Sequence, residues 1–221
     1  MLDNLYSDYK KVFKEEAYFT NDGIIKEELF HKASEKILWI LKEPFGRNEA
    51  KKEFDYLGYI NKFSLEETKI YDTSSRMWHN ITHCNYGIYS GGILWDNMDN
   101  CWQNEDVFSS LHKSALINLK KVPGTTKSDY DEIKNYYSQG KEIILKQIDA
   151  INPTIIICGG TLKFIYNDLT GIERTSFNSE IQWDTYLWND RIIIDAYHPS
   201  AIISQEKYCN KVINAWKQAK K

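Results

Sequence analysis

The chain has 221 residues, 42% of them hydrophobic and 27% charged, the composition of an ordinary globular domain with a sizeable core. No apolar run is long enough to span a bilayer, and the charged N-terminus "MLDNLYSDYKKVFKEE" lacks the apolar centre of a signal peptide, so the sequence reads as cytoplasmic with no membrane partner. A net charge of -3 argues against a protein coated in positive charge, yet leaves room for a local basic patch that neutralises a few phosphates.

In residues 3–18, Leu5, Tyr6, Tyr9, Val12 and Phe13 form a stripe among Lys and Glu, which predicts a helix capped by Asp3. Ile37 to Leu41 is a continuous apolar run stopped by Pro44 and Gly46, the pattern of a strand buried on both faces. Residues 47–113, rich in Trp, Tyr, Asn and Gly, are too many for a plain connection and are expected to form an insertion with helices of its own. Ala115 to Leu119 repeats the strand pattern, interrupted by Asn118 and closed by Pro123-Gly124. Residues 129–151 place Ile133, Tyr137, Ile144, Ile148 and Ile151 on about one helical face, with Gly140 weakening the middle. Ile155 to Cys158 is a third buried strand closed by Gly159-Gly160, and a helix can start directly afterwards, over 161–169. "RIIIDAYHPS" (191–200) is the fourth, and 204–221 reads as an amphipathic helix capped by Ser204. Buried strands alternating with helices predict an α/β fold with a mainly parallel sheet in a single domain, 1–221.

The four cysteines form no CxxC pair, so neither a zinc ribbon nor an iron–sulfur cluster is signalled, and buried free thiols are expected. His79, His83 and Cys84 in "HNITHC" begin a possible metal set that no second ligand pair completes. No metal and no cofactor are therefore expected.

Ligands of open parallel sheets bind beyond the carboxyl ends of the strands. That rule brings Glu43, Asn118, Gly159-Gly160 and His198-Pro199-Ser200 to one rim. The set, in the order "LKEPFG", "LINLKKVPG", "YHPSAI", resembles the uracil-DNA glycosylase superfamily over roughly residues 36–216. The resemblance implies a three-layer α/β/α sandwich around a central four-stranded mainly parallel sheet. It implies a DNA glycosylase that flips uracil or a modified pyrimidine and hydrolyses its N-glycosidic bond, leaving an abasic site.

By the same resemblance, Glu43 orients or deprotonates the attacking water and stabilises the positive sugar, and Phe45 limits what enters the pocket. Asn118 binds the base, and His198 donates a hydrogen bond to the base carbonyl as the base leaves. Ser200 binds a phosphate, and Ile202 lies in a segment that enters the duplex as an apolar wedge. Lys120 and Lys121, with Lys163, Lys207 and Lys211, form a candidate phosphate-facing patch, and Gly159-Gly160 either let backbone approach a phosphate or only make a turn. Trp78, Tyr86, Tyr89, Trp95 and Trp102 are candidate stacking partners for the base. The expected partner is DNA and the expected state a monomer. The first motif carries Lys42-Glu43 where many members have a glycine ahead of the acid or amide. That departure fits a base other than uracil, including a hypermodified phage cytosine attacked in antiviral defence. The alternatives are a non-catalytic nucleic-acid-binding relative and an unrelated enzyme of free nucleosides.

Overall fold

The computed structural model describes residues 2–14, 19–44, 55–62, 64, 76–125 and 127–221. Its elements, in order, are α1 (Leu2–Val12), β1 (Gly23–Ile24), α2 (Glu27–Lys32), β2 (Ile37–Leu41), α3 (Tyr56–Asn61), α4 (Arg76–Tyr89), α5 (Glu105–Ser109), β3 (Ala115–Asn118), α6 (Tyr130–Ile151), β4 (Ile155–Gly159), α7 (Leu162–Ile165), β5 (Glu173–Ser176), β6 (Asp184–Trp188), β7 (Arg191–Ala196) and α8 (Gln205–Ala219). The class is α/β.

The sheet corrects the expectation of four strands. Among the described residues it has seven, in the order β1-β3-β2-β4-β7-β6-β5, and it is mixed. The four runs read from the sequence are neighbours: β3, β2, β4 and β7 pair in parallel. β1 adds antiparallel to β3 at one edge, and β6 and β5 add antiparallel beyond β7 at the other. The β6–β7 hairpin turns through Asn189 and Asp190, both at positive φ (47° and 62°), the geometry of a two-residue primed turn.

Both faces of the parallel strands are covered, which is why their sequences are continuously apolar rather than alternating. Ile37, Trp39, Leu41, Ile155, Ile157, Ile194 and Ala196 face one core together with α4, α5 and α8. Leu38, Ile40, Ile156, Cys158 and Ile193 face the other, with α1, α6 and α7. All four cysteines are buried and free.

α6 runs from an Asp129 cap, whose carboxylate accepts from the Asp131 and Glu132 N–H groups, to Asn152 at left-handed φ. Gly140 in its middle has a packing reason: a Cβ there would stand 2.8 Å from the Tyr9 ring on α1. α1 starts at Leu2, ahead of the Asp3 expected to cap it. The segment expected to carry its own helices contains α3, α4 and α5. α4 is almost wholly buried and packs against α8, so this stretch is part of the main core.

Candidate functional site

The carboxyl edge of β2, β4 and β7 opens into a cleft of about 430 Å³, whose described walls include Lys42, Tyr130, Gly160, Lys163, Asp195 and His198. Each arrives by a short route. Lys42 follows β2, Gly160 follows β4, Lys163 is in α7, Tyr130 opens α6, Asp195 lies in β7 and His198 follows it.

The turn carrying His198 is fixed from two helices. On α4, the Asn80 amide donates to the Pro199 carbonyl at 2.6 Å, and Arg76 reaches the Ala201 and Ile203 carbonyls at 3.2 Å each. On α8, the Tyr208 hydroxyl donates to the Tyr197 carbonyl at 2.7 Å. Ile202 is left 99% exposed at the tip.

The tautomer of His198 follows from its partners. The Ser200 backbone N–H lies 3.2 Å from Nδ1 and can only donate, so Nδ1 carries a lone pair. The Ser200 hydroxyl, 2.7 Å from the same nitrogen, donates as well. The neutral ring therefore holds its proton on Nε2, as a donor. Burial, with Lys42 nearby, pushes the His198 pKa down to about 4, so the ring is neutral at pH 7. Ser200 uses its hydroxyl proton on His198 rather than on a phosphate.

Two ammonium groups sit on one aromatic ring. Lys163 Nζ lies 3.7 Å and Lys42 Nζ 5.2 Å from the Tyr130 ring centroid. Among the described residues neither lysine is ion-paired, so both charges are available to an anion in the cleft.

Asp195 is the carboxylate of this cleft. Burial, and then Asp184 beside it on β6, push its pKa up to about 6, while Arg174 and Lys163 pull the other way. Asp184 itself is engaged by Arg174 at 2.5 Å.

Several residues singled out from the sequence lie elsewhere. Glu43 is 6% exposed and bound to Lys120 at 3.0 Å, and Lys120 is held by Glu132 at 2.8 Å as well. Gly124 packs so tightly on Glu43 that a Cβ would come 2.0 Å from the carboxyl carbon. Glu43 is thus a clamped, buried partner and does not line the cleft among the described residues. Lys120 and Lys121 are corrected likewise: both are buried, so neither meets a phosphate. Lys121 donates to Asp22 at 2.7 Å and to Gln147 at 3.0 Å, and its burial depresses its pKa.

Asn118 is buried at the end of β3, its N–H 2.7 Å from the Asp22 carboxylate and its side-chain amide 3.5 Å from the same oxygen. It belongs to that Asp22 network, not to the cleft. Gly159 is buried, and a Cβ on it would meet Leu41 at 2.7 Å and Pro199 at 3.1 Å. Gly160 lines the cleft at φ +72°, but its N–H donates to the Ala196 carbonyl at 2.8 Å, so neither glycine offers its backbone to a phosphate. Lys207 is paired with Glu180, and Lys211 donates to Asn178. Phe45 lies outside the described residues. Of the five candidate aromatics, none lines the described cleft, and Trp102, 43% exposed, stands against His79 instead.

Sequence reasoning brought Lys42 to the strand edge without giving it a role, and missed Tyr130 and Asp195 as cleft residues. Asp195 carried a signal, a lone acid inside the apolar run "IIIDA". Among the described residues no group of three His, Cys, Asp or Glu side chains is placed to hold a metal ion, and no helix is long and apolar enough to cross a membrane. No protein-family model matches the chain, and neither does any curated protein.

Proposed function

We propose that the chain is a DNA glycosylase that excises uracil or a modified pyrimidine by hydrolysis of the N-glycosidic bond. One observation carries this reading. A neutral histidine with its proton fixed on Nε2 stands in a cleft beside two lysines that have no ion-pair partner among the described residues, at the carboxyl edge of parallel strands. A leaving pyrimidine gathers negative charge on its carbonyl oxygens. A preorganised neutral donor meets that charge without giving up its proton, an effect worth roughly 3 kcal/mol at comparable sites. Lys42 and Lys163 then hold DNA phosphates, and exposed Ile202 fills the gap left by the flipped base. The family resemblance of "YHPSAI" adds to this reading.

The test is base release from DNAs carrying uracil, hypoxanthine, hydroxymethylcytosine or glucosylated hydroxymethylcytosine, followed by alkaline cleavage at abasic sites. Wild type should cleave at one of them, and His198→Ala should lose roughly 100-fold or more in single-turnover rate. Equal rates would remove His198 from the chemistry. A second reading, a DNA-binding relative without catalysis, draws on one observation: Glu43, the residue at the motif's acid position, is held by Lys120. Salt-dependent DNA binding without release from any substrate would favour it.

A further inference from the structure

We propose that Asp195 is the catalytic carboxylate of this cleft, taking the proton from the water that attacks the sugar. This rests on the base-excision reading above. Asp195 and His198 line the same cleft, three residues apart on β7 and the turn that follows it.

Among the described residues the other half-buried and buried carboxylates are engaged, Glu35 by Lys220 and the Thr154 hydroxyl. Asp22 is bound by Lys121 and Gln147, Glu43 by Lys120, Asp168 by Lys141 and Tyr137, and Asp184 by Arg174 and the Asn178 N–H. Among the described residues no hydrogen bond or ion pair reaches the Asp195 carboxylate. A half-buried carboxylate left in that condition costs stability, and in a cleft it is a candidate for chemistry.

The step balances with water alone. An O–H bond of the water breaks and its proton goes to an Asp195 oxygen. The new C–O bond forms at the sugar carbon as the C–N bond breaks, and its electron pair leaves with the base. His198 Nε2–H meets the charge that builds on the base carbonyl. The proton on Asp195 then passes to the released base anion, which restores the carboxylate. A carboxyl group whose proton affinity lies near working pH suits this task. The groups facing it are Asp184 and Tyr186 on β6, Arg174 on β5, Cys158 on β4, Lys163 on α7, and Lys42, Tyr130 and His198 around the cleft.

The experiment uses the full chain and whichever DNA wild type cleaves. Single-turnover rates are measured from pH 5 to 8 for wild type, Asp195→Asn and Asp195→Glu, with DNA affinity measured in parallel by fluorescence anisotropy. Asp195→Asn should lose roughly 100-fold in rate at pH 7.5 with affinity nearly unchanged. The wild-type rate should fall below about pH 6, and the residual Asp195→Asn rate should not. Asp195→Glu should recover part of the loss. A rate for Asp195→Asn within about threefold of wild type, or a loss matched by lost DNA binding, overturns the assignment and leaves the excision reading in place. A wild type silent on every DNA overturns the excision reading, and the role of Asp195 with it.

Discussion

Asp195→Asn should make the protein more stable at neutral pH, whatever the cleft binds. Its carboxyl titrates near 6 in the fold, against the 3.8 of an unperturbed group. A group whose folded pKa is raised contributes stability that is complete below the unfolded pKa and is lost as pH rises through the folded one. At about 1.4 kcal/mol per tenfold change in proton affinity, that interval corresponds to about 3 kcal/mol. The carboxylate is only partly buried, so solvent screening reduces the expected gain to about 1–2 kcal/mol. Replacement by Asn removes the charge and its repulsion with Asp184. Urea unfolding, followed by the fluorescence of the seven tryptophans, measures the difference at pH 4, 5, 6 and 7.5. The variant should match wild type near pH 4, draw ahead between 4 and 6, and hold a constant lead above. Wild type equal to or more stable than the variant at pH 7.5 would refute the reasoning, because it would mean that the fold supplies Asp195 with a partner.

His198 works in the opposite direction: its folded pKa near 4 lies below the usual 6.5, so its stabilising contribution holds above pH 6.5 and is lost as pH falls toward 4. His198→Gln should therefore flatten the acid limb of the unfolding curve by about 2 kcal/mol, read as the difference between pH 7.5 and 4.5. Glu43→Gln should cost about 2 kcal/mol by weakening the buried pair with Lys120, seen in the urea midpoint, while Glu132 retains its hold on that lysine. Gly140→Ala should destabilise by about 1 kcal/mol despite the better helix former, because the new methyl meets a buried Tyr9 ring; a gain would show that α1 yields at this crossing. Lys163→Met should raise the Asp195 pKa, followed by carboxyl carbon chemical shift against pH, and an unchanged value would separate the two groups electrostatically.

The four central strands were legible because burial on both faces leaves an unbroken apolar run, and "LWIL", "ALI", "IIIC" and "III" are such runs. The outer strands were harder for physical reasons. β1 is two residues long, and the exposed β5, "ERTS", has no apolar face to show. β6, in contrast, was readable: "DTYLW" is followed by Asn189-Asp190 and a second apolar run, which is a hairpin signal. At the site, sequence order brought the strand ends to one rim correctly but could not say which side chains turn into the cleft. The Glu43–Lys120 pair joins residues 77 apart, and no local pattern announces it. Asp195 looked like an interruption of a strand, although a lone acid within an apolar run is itself an anomaly worth following into the cleft.

The electrostatics of the cleft bear on how binding and chemistry connect. Burial, and then Lys42, keep a proton off His198, and Lys163 lowers the proton affinity of Asp195. A phosphate seated on the two lysines would cancel part of both influences. His198, starting near 4, would stay neutral at pH 7 and keep its role as donor. Asp195, starting near 6, would rise in proton affinity and become a stronger base. Binding an anion would then leave the donor unchanged and sharpen the acceptor. On the reading proposed above, Lys163 would hold the carboxylate ionised until the substrate phosphate arrives. On that same reading, the instability that Asp195 imposes at neutral pH is the cost of keeping a base with no partner among the described residues in a half-dry cleft.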